Sequence, residues 1–287
     1  MLMAASVPNI LSIAGTDPTG GAGIQADLKS FAAHGGYGMS VVTALVAQNT
    51  QGVREIHAPP VQFLRAQLSA VSDDVTVHAA KTGMLGTTAI IDTVAQWWDE
   101  TYRSTNNDAA GNSSPVTAPV LVVDPVMVAT SGHRLLEAEA EASLIGFLHR
   151  ADLITPNVPE LAILAGAEPA GSSAELIRQA EQVADAHHTV VLAKGGHMNQ
   201  PTVTDTLVFP AVAGRRAQAY SVSTPRVETT NTHGTGCSVS AAFAALRARG
   251  LDWEQSLDVV KEWMQRALEG AQRLDVGRGN GPINHFP

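Results

Sequence analysis

The feature that most limits how this chain can fold is a series of short, almost unbroken apolar runs at 9–14, 39–46, 79–82, 120–123, 153–155 and 189–193. Each is too short for a stable helix, so each reads as a strand covered on both faces. Between them the apolar residues recur at helical spacing. Ile24, Leu28, Phe31 and Ala32 form one such face before Gly35 and Gly36, and Val61, Leu64, Leu68 and Val71 form another after Pro60. Ile90, Val94 and Trp97 mark a third helix, and 137–149 and 173–186 read as two more. Strand and helix in alternation predict an α/β fold, a mostly parallel central sheet with helices on both faces. The pattern changes later, where 203–209 and 217–222 alternate as an antiparallel hairpin around the turn at 211–216. The last two helices are expected to begin near Gly236 and Trp253.

At 287 residues, with no linker-like boundary, the sequence reads as a single domain. Residues 103–119 interrupt the pattern, because Ser, Asn, Thr, Ala, Gly and Pro dominate there and no apolar period survives. They read as a mobile surface insertion. A formal net charge of -9 argues against a nucleic-acid partner, which needs clustered Lys and Arg. The one cysteine cannot form an internal disulfide, and no Cys or His cluster has zinc spacing. The start lacks a secretory pattern, and nowhere do about 18 uncharged apolar residues run together, so no membrane partner and a cytoplasmic location are expected.

Ligands in parallel sheets sit beyond the carboxyl ends of the strands, and there the polar residues collect: Gln48, Lys81, Asp124, Asn157 and Lys194. The densest such stretch is 231–245, where Gly234, Thr235 and Gly236 open an alanine-rich helix with Cys237 in its first turn. Unpaired N–H groups and the positive end of the helix dipole favour an anion there, and the same field is expected to favour the thiolate. Taken alone, the stretch reads equally as a glycine loop that packs a helix closely beside a structural cysteine. No Walker A loop is present, and no Gly-x-Gly-x-x-Gly follows the first strand.

The order of motifs removes that ambiguity. Ala-Gly-Thr-Asp-Pro-Thr-Gly-Gly-Ala-Gly-Ile-Gln-Ala-Asp at 14–27, Val-Ala-Gln-Asn-Thr at 46–50 and Lys-Thr-Gly-Met-Leu at 81–85 come first. Val-Asp-Pro-Val-Met at 123–127, Thr-Pro-Asn-Val-Pro-Glu at 155–160, Lys-Gly-Gly-His at 194–197 and Asn-Thr-His-Gly-Thr-Gly-Cys at 231–237 follow. Over nearly its whole length the chain resembles the hydroxymethylpyrimidine/phosphomethylpyrimidine kinases, thiamine-biosynthesis enzymes of the ribokinase-like superfamily.

The resemblance implies a ribokinase-like fold, ATP and Mg²⁺ as cofactors, and a homodimer. It implies an anion hole at Gly234, Thr235, Gly236 and Cys237, with Cys237 where most of the superfamily places a catalytic aspartate. Asn157 and Glu160 match its Asn-x-x-Glu pattern, so Asp124 and Glu160 are the expected metal carboxylates, and Asn157 and Lys194 the expected contacts to ATP phosphates. The same Asn157 and Glu160 also read as a helix cap. Gln48, Asp27, Met84 and Gly15 are the substrate candidates, since a carboxamide complements an aminopyrimidine edge and Asp27 could hold a hydroxymethyl group. Lys81 is a weaker phosphate candidate; Thr82 departs from the expected isoleucine, and Thr130 stands where many relatives carry lysine. The implied reaction moves the ATP γ-phosphate to 4-amino-5-hydroxymethyl-2-methylpyrimidine and then to its monophosphate. A pyridoxal or pyridoxine kinase is the nearest alternative, and a non-catalytic nucleotide- or vitamin-precursor sensor is the remote one.

Overall fold

The computed structural model describes residues 6–103, 118–128, 135–198, 200–211 and 217–287. Most of the insertion read at 103–119, Thr130, and most of the turn at 211–216 lie outside the described residues. Nine strands form one sheet, in the order β3-β2-β1-β4-β5-β6-β7-β8-β9. The expected runs supply its centre: β1 (Asn9–Gly15), β2 (Tyr37–Asn49), β4 (Ala79–Thr82), β5 (Val120–Val123), β6 (Leu153–Ile154) and β7 (Val190–Lys194). These pair in parallel, with β2 and β4 on opposite sides of β1, so the strand order reverses at β1 and opens a crevice there. β8 (Thr202–Phe209) and β9 (Gln218–Pro225) add the expected antiparallel hairpin at one edge.

Helices cover both faces, and the strand residues alternate between two cores. Leu11, Ile13, Val41, Leu121, Val123 and Val191 face α2 (Val61–Ser72), α3 (Thr88–Trp98), α4 (Glu141–Phe147), α5 (Val158–Ala165) and α6 (Ser173–His187). Ile10, Ala79, Val122, Leu153 and Leu192 face α1 (Gly23–Ala33), α7 (Thr235–Ala248) and α8 (Trp253–Glu269). α7 lies over β1, β4 and β5 between α1 and α8. That position explains its alanines: every residue from Ser238 to Leu246 is buried, and small side chains let three neighbours approach the helix closely.

Two elements differ from expectation. β2 runs on to Asn49 and turns into β3 (Gly52–His57), which no apolar run announced. β3 is an exposed edge strand carrying Arg54, Glu55 and His57, held by antiparallel pairing with the end of β2. Residues 137–149 form no continuous helix. A 3-10 turn at Ala138–Ala140 leads into the short α4, and another at Leu148–Arg150 closes it. Among the described residues no helix is long and apolar enough to cross a membrane.

Candidate active site

A cavity of about 670 Å³ lies beyond the carboxyl ends of the parallel strands. It gathers Gly15 from the end of β1, Gln48 from β2, Met84 after β4, Asp124 after β5, Asn157 and Glu160 at the start of α5, and Lys194 from the end of β7. Gly234, Thr235, Gly236 and Cys237 complete its wall. Asp27 is the one expected site residue that does not line it.

Asp27 sits on the inner face of α1 with no exposed surface, and its carboxylate accepts from Lys81 Nζ at 2.8 and 3.0 Å and from Ser12 Oγ at 2.6 Å. Three hydrogen bonds already reach this carboxylate and it has no surface in the cavity, so the structure does not bear out the expectation that it holds a hydroxymethyl group. The sequence could not show that a lysine on β4 waits for it there. Burial pushes the Asp27 carboxyl up, while the charge and hydrogen bond of Lys81, then Ser12, pull it back. Burial would likewise deprotonate Lys81, but Asp27, followed by Cys237 and Asp124, raises it and keeps it charged.

α7 begins without a side-chain cap, because its N-cap is Gly234 at φ 81°. The glycine is required twice over: φ lies in the left-handed region, and a Cβ would overlap the carbonyl oxygen of Gly21. Thr235 N reaches back to Thr232 O at 3.3 Å, and no side chain caps the rest of the first turn where it borders the cavity. The thiol of Cys237 does not behave as expected. Burial pushes it up to about 11; Lys81 pulls down, Asp124 and Asp27 push up again, and the Gly23 N–H opposes them. Burial and the carboxylates arriving from β5 and α1, which the chain-local reading did not include, act against the thiolate. At neutral pH the half-buried Cys237 is a thiol.

Opposite α7, Asp124 is nearly buried and accepts from Thr155 Oγ1 at 3.1 Å, from Lys194 Nζ at 3.4 Å and from Ser240 Oγ at 3.4 Å. Gly236 approaches the same pair so closely that a Cβ there would stand 3.3 Å from Lys194 Nζ. Asn157 and Glu160 make the full capping box, each side chain accepting from the other's N–H at 2.9 Å. The capping and the cavity-facing readings hold together. Burial raises the Glu160 carboxyl to about 7; Lys194 lowers it, Asp124 raises it, and the Asn157 and Met127 N–H groups lower it. Lys194 would lose its proton to burial, but Asp124 and Glu160 hold its pKa above the ordinary lysine value.

The carboxylates of Asp124 and Glu160 fit a magnesium ion. Mg²⁺ takes one or two carboxylates and fills its other positions with water and phosphate oxygens, so no larger protein cluster is needed. The Asp124 charge raises the proton affinity of the buried Glu160 carboxyl, and a bound cation would relieve that repulsion.

Two features escaped the sequence reading. Asp17, fully buried, accepts from Thr19 N and Oγ1 at 2.9 and 2.8 Å, from Gly21 N at 3.0 Å, from Ala22 N at 2.8 Å and from His233 Nε2 at 2.7 Å. Burial alone would raise its carboxyl, but the hydrogen bonds of His233 and Thr19 and the nearby His233 charge hold it at about 2. His233 thus ties the loop after β1 to the loop before α7. The Asp-Pro-Thr-Gly string was an available signal for the Asp17 turn; nothing local pointed to His233. The second feature is an apolar end of the cavity, where Val203, Val227, Met264 and Leu268 come together from the hairpin and α8.

A model of the Phosphomethylpyrimidine kinase family matches residues 17–284. The hydroxymethylpyrimidine/phosphomethylpyrimidine kinase of Escherichia coli K12 is 43% identical over 97% of each chain. The thiamine biosynthesis multifunctional protein ThiED of Corynebacterium glutamicum is 51% identical over 98% of this chain, which spans only 34% of that protein's length. Among solved structures, Bacillus subtilis pyridoxal kinase with ADP superposes with a TM-score of 0.82 at 29% identity, covering 98% of both chains. Phosphomethylpyrimidine kinase from Clostridium difficile 630 superposes with a TM-score of 0.73 at 32% identity, covering 92% of this chain and all of that one.

Proposed function

Since the chain belongs to the phosphomethylpyrimidine kinase family, we propose that it transfers the ATP γ-phosphate to 4-amino-5-hydroxymethyl-2-methylpyrimidine and then to the resulting monophosphate. The observation that carries this reading is the chemistry of one cavity, where the Gln48 carboxamide, Met84 and the Gly15 backbone share walls with anion-handling groups. Gln48 is half-buried and makes no side-chain hydrogen bond within the described protein, so its amide is free to read an amino group beside a ring nitrogen. Met84 packs against Gly15 and offers a polarisable surface to a ring.

On the anionic side, Lys194 and the uncapped N–H groups of α7 stabilise charge on the phosphoryl group in flight. Asp124 and Glu160 are the residues that would hold Mg²⁺, which supplies neutralisation of the phosphate charge when bound. Val203, Val227, Met264 and Leu268 give the adenine ring an apolar seat. Cys237 enters as a neutral thiol that packs beside the acceptor hydroxyl. A loose phosphoryl-transfer transition state depends mainly on positioning and electrostatics, so a standing thiolate is not required. The same reading places the enzyme in the cytoplasm as a homodimer.

The test is product analysis with the purified chain, ATP and Mg²⁺, offering hydroxymethylpyrimidine, its monophosphate and pyridoxal in parallel. Pyrimidine diphosphate is the expected end product. Accumulation of monophosphate alone at saturating ATP would overturn the two-step reading. Faster turnover of pyridoxal than of either pyrimidine would overturn the acceptor.

A further inference from the structure

Gln48 stands on an unusual support. β1 pairs with β2 only as far as Ala44, and a register shift separates Ala47 from Gln48, so the end of β2 leaves the sheet as a two-stranded ribbon with β3. Two strands alone are marginal in water. Near its base the ribbon rests on Ala44, Val46 and Met84. Past that cluster, the turn at Thr50 is tied to a segment more than two hundred residues away.

That segment follows α8 and reads Gly-Arg-Gly-Asn-Gly-Pro from 277 to 282. Gly279 N donates to Thr50 Oγ1 and Asn280 N donates to Thr50 O, both at 3.1 Å. The approach depends on bare backbone: a Cβ on Gly277 would overlap the Thr50 side chain, and one on Gly279 would overlap the Thr50 carbonyl oxygen. Two residues further on, the Gly281 carbonyl accepts from His233 N at 3.0 Å, and Pro282 bridges to His233. His233 is the residue before the N-cap of α7. The far end is anchored in the core by Ile283, by Asn284 N donating to Ala267 O at 3.0 Å, and by the His285 ring against Ser238 Oγ at 2.9 Å. None of residues 277–282 lines the cavity.

We propose that this segment is a positioning strap: it fixes the Gln48 end of β2 against the loop that opens α7, and Thr50 and Gly279 are positioning residues for the acceptor. The inference rests on the assignment of Gln48 to the acceptor ring given above. A strap that reaches both loops holds the distance between the group that reads the acceptor and the groups that meet the phosphate. Loosening it lets the ribbon swing, which weakens acceptor binding and leaves ATP contacts on β7, α5 and α7 in place.

The experiment compares Thr50→Val and Gly279→Ala with the parent enzyme. Thr50→Val keeps the shape and loses the acceptor oxygen for Gly279; Gly279→Ala presses a methyl on the Thr50 carbonyl. KM for hydroxymethylpyrimidine should rise about 2- to 10-fold in Thr50→Val, the worth of one hydrogen bond, and by more in Gly279→Ala. KM for ATP should stay within about twofold, because the lost bond lies outside the nucleotide contacts. Unchanged acceptor KM in Thr50→Val, or equal rises for acceptor and ATP, would overturn the strap. If Gly279→Ala does not fold, Thr50→Val decides alone. Should the parent enzyme not turn over hydroxymethylpyrimidine, the acceptor assignment fails, and the same KM ratio is read with the acceptor it does use.

Discussion

Two lysine–aspartate pairs sit near the ends of parallel strands in this protein, and they are built differently. Lys81 and Asp27 have no exposed side-chain surface, and the lysine reaches both carboxylate oxygens. Lys194 and Asp124 keep 14% and 3% of their side-chain surface, and a single contact of 3.4 Å joins them. The first pair is fully buried, with Ser12 as a further donor and Lys81 reaching the cavity wall. The second is loosely held and shares its charge with Glu160 and the start of α7. Identical residue types therefore do not make equivalent sites; three hydrogen bonds reach each carboxylate, and what separates the two pairs is the length of the lysine contact and the surface the lysine keeps.

The largest effect should come from opening the fully buried pair. Asp27→Ala leaves Lys81 buried and unpaired, and unfolding in urea should show a loss of about 3–5 kcal/mol. Replacing both partners, Lys81→Met with Asp27→Leu, should recover most of it, and a double variant as unstable as the single would show that the pair is not the cause. For the loose pair the effect belongs in turnover. Lys194→Ala should cost no more than about 1–2 kcal/mol of stability, since Thr155 and Ser240 still serve Asp124. Its turnover should fall about 10²- to 10³-fold, the loss typical of a missing charge-stabilising donor. The monophosphate, which carries more charge into the site, should suffer at least as much as the free alcohol. A stability loss equal to that of Asp27→Ala would erase the distinction between the pairs.

The smallest effect is on Cys237. Lys81 lowers the pKa of this thiol more than Asp27 raises it, so the double replacement, which removes both, should still slow its alkylation by iodoacetamide at pH 9, by roughly 2- to 5-fold. Lys194→Ala should change that rate by less than about twofold. Equal slowing in both would mean that the two lysines act on the thiol alike.

The sequence was informative wherever a residue's role follows from its immediate neighbours in the chain. Strands buried on both faces must be apolar throughout, so β1, β2, β4, β5, β6 and β7 were all legible, and so were the polar residues at their ends. β3 was not, because its order comes from pairing with β2 and none of its own residues demands a strand. The same division runs through the site. Gly234 to Cys237, Asn157, Glu160, Gln48 and Lys194 were singled out by the family resemblance together with strand ends and helix starts, and the fold brings them to one cavity. Asp27 was misassigned and the Cys237 thiol given the wrong charge state, because in each case distant partners decide. Gly279 could not have been singled out, since the Thr50 it fits lies 229 positions earlier.

The hydrogen bond between His233 and Asp17 joins residues 216 positions apart. During synthesis at about 5–20 residues per second, the loop after β1 waits roughly 10–40 s for the histidine that holds it. All six parallel strands have been made by Lys194, well before His233 is added. Over that interval one face of the sheet also lacks its cover, because α7 and α8 are made later still. Closing that core and joining the two loops are therefore completed together, by the last helix pair.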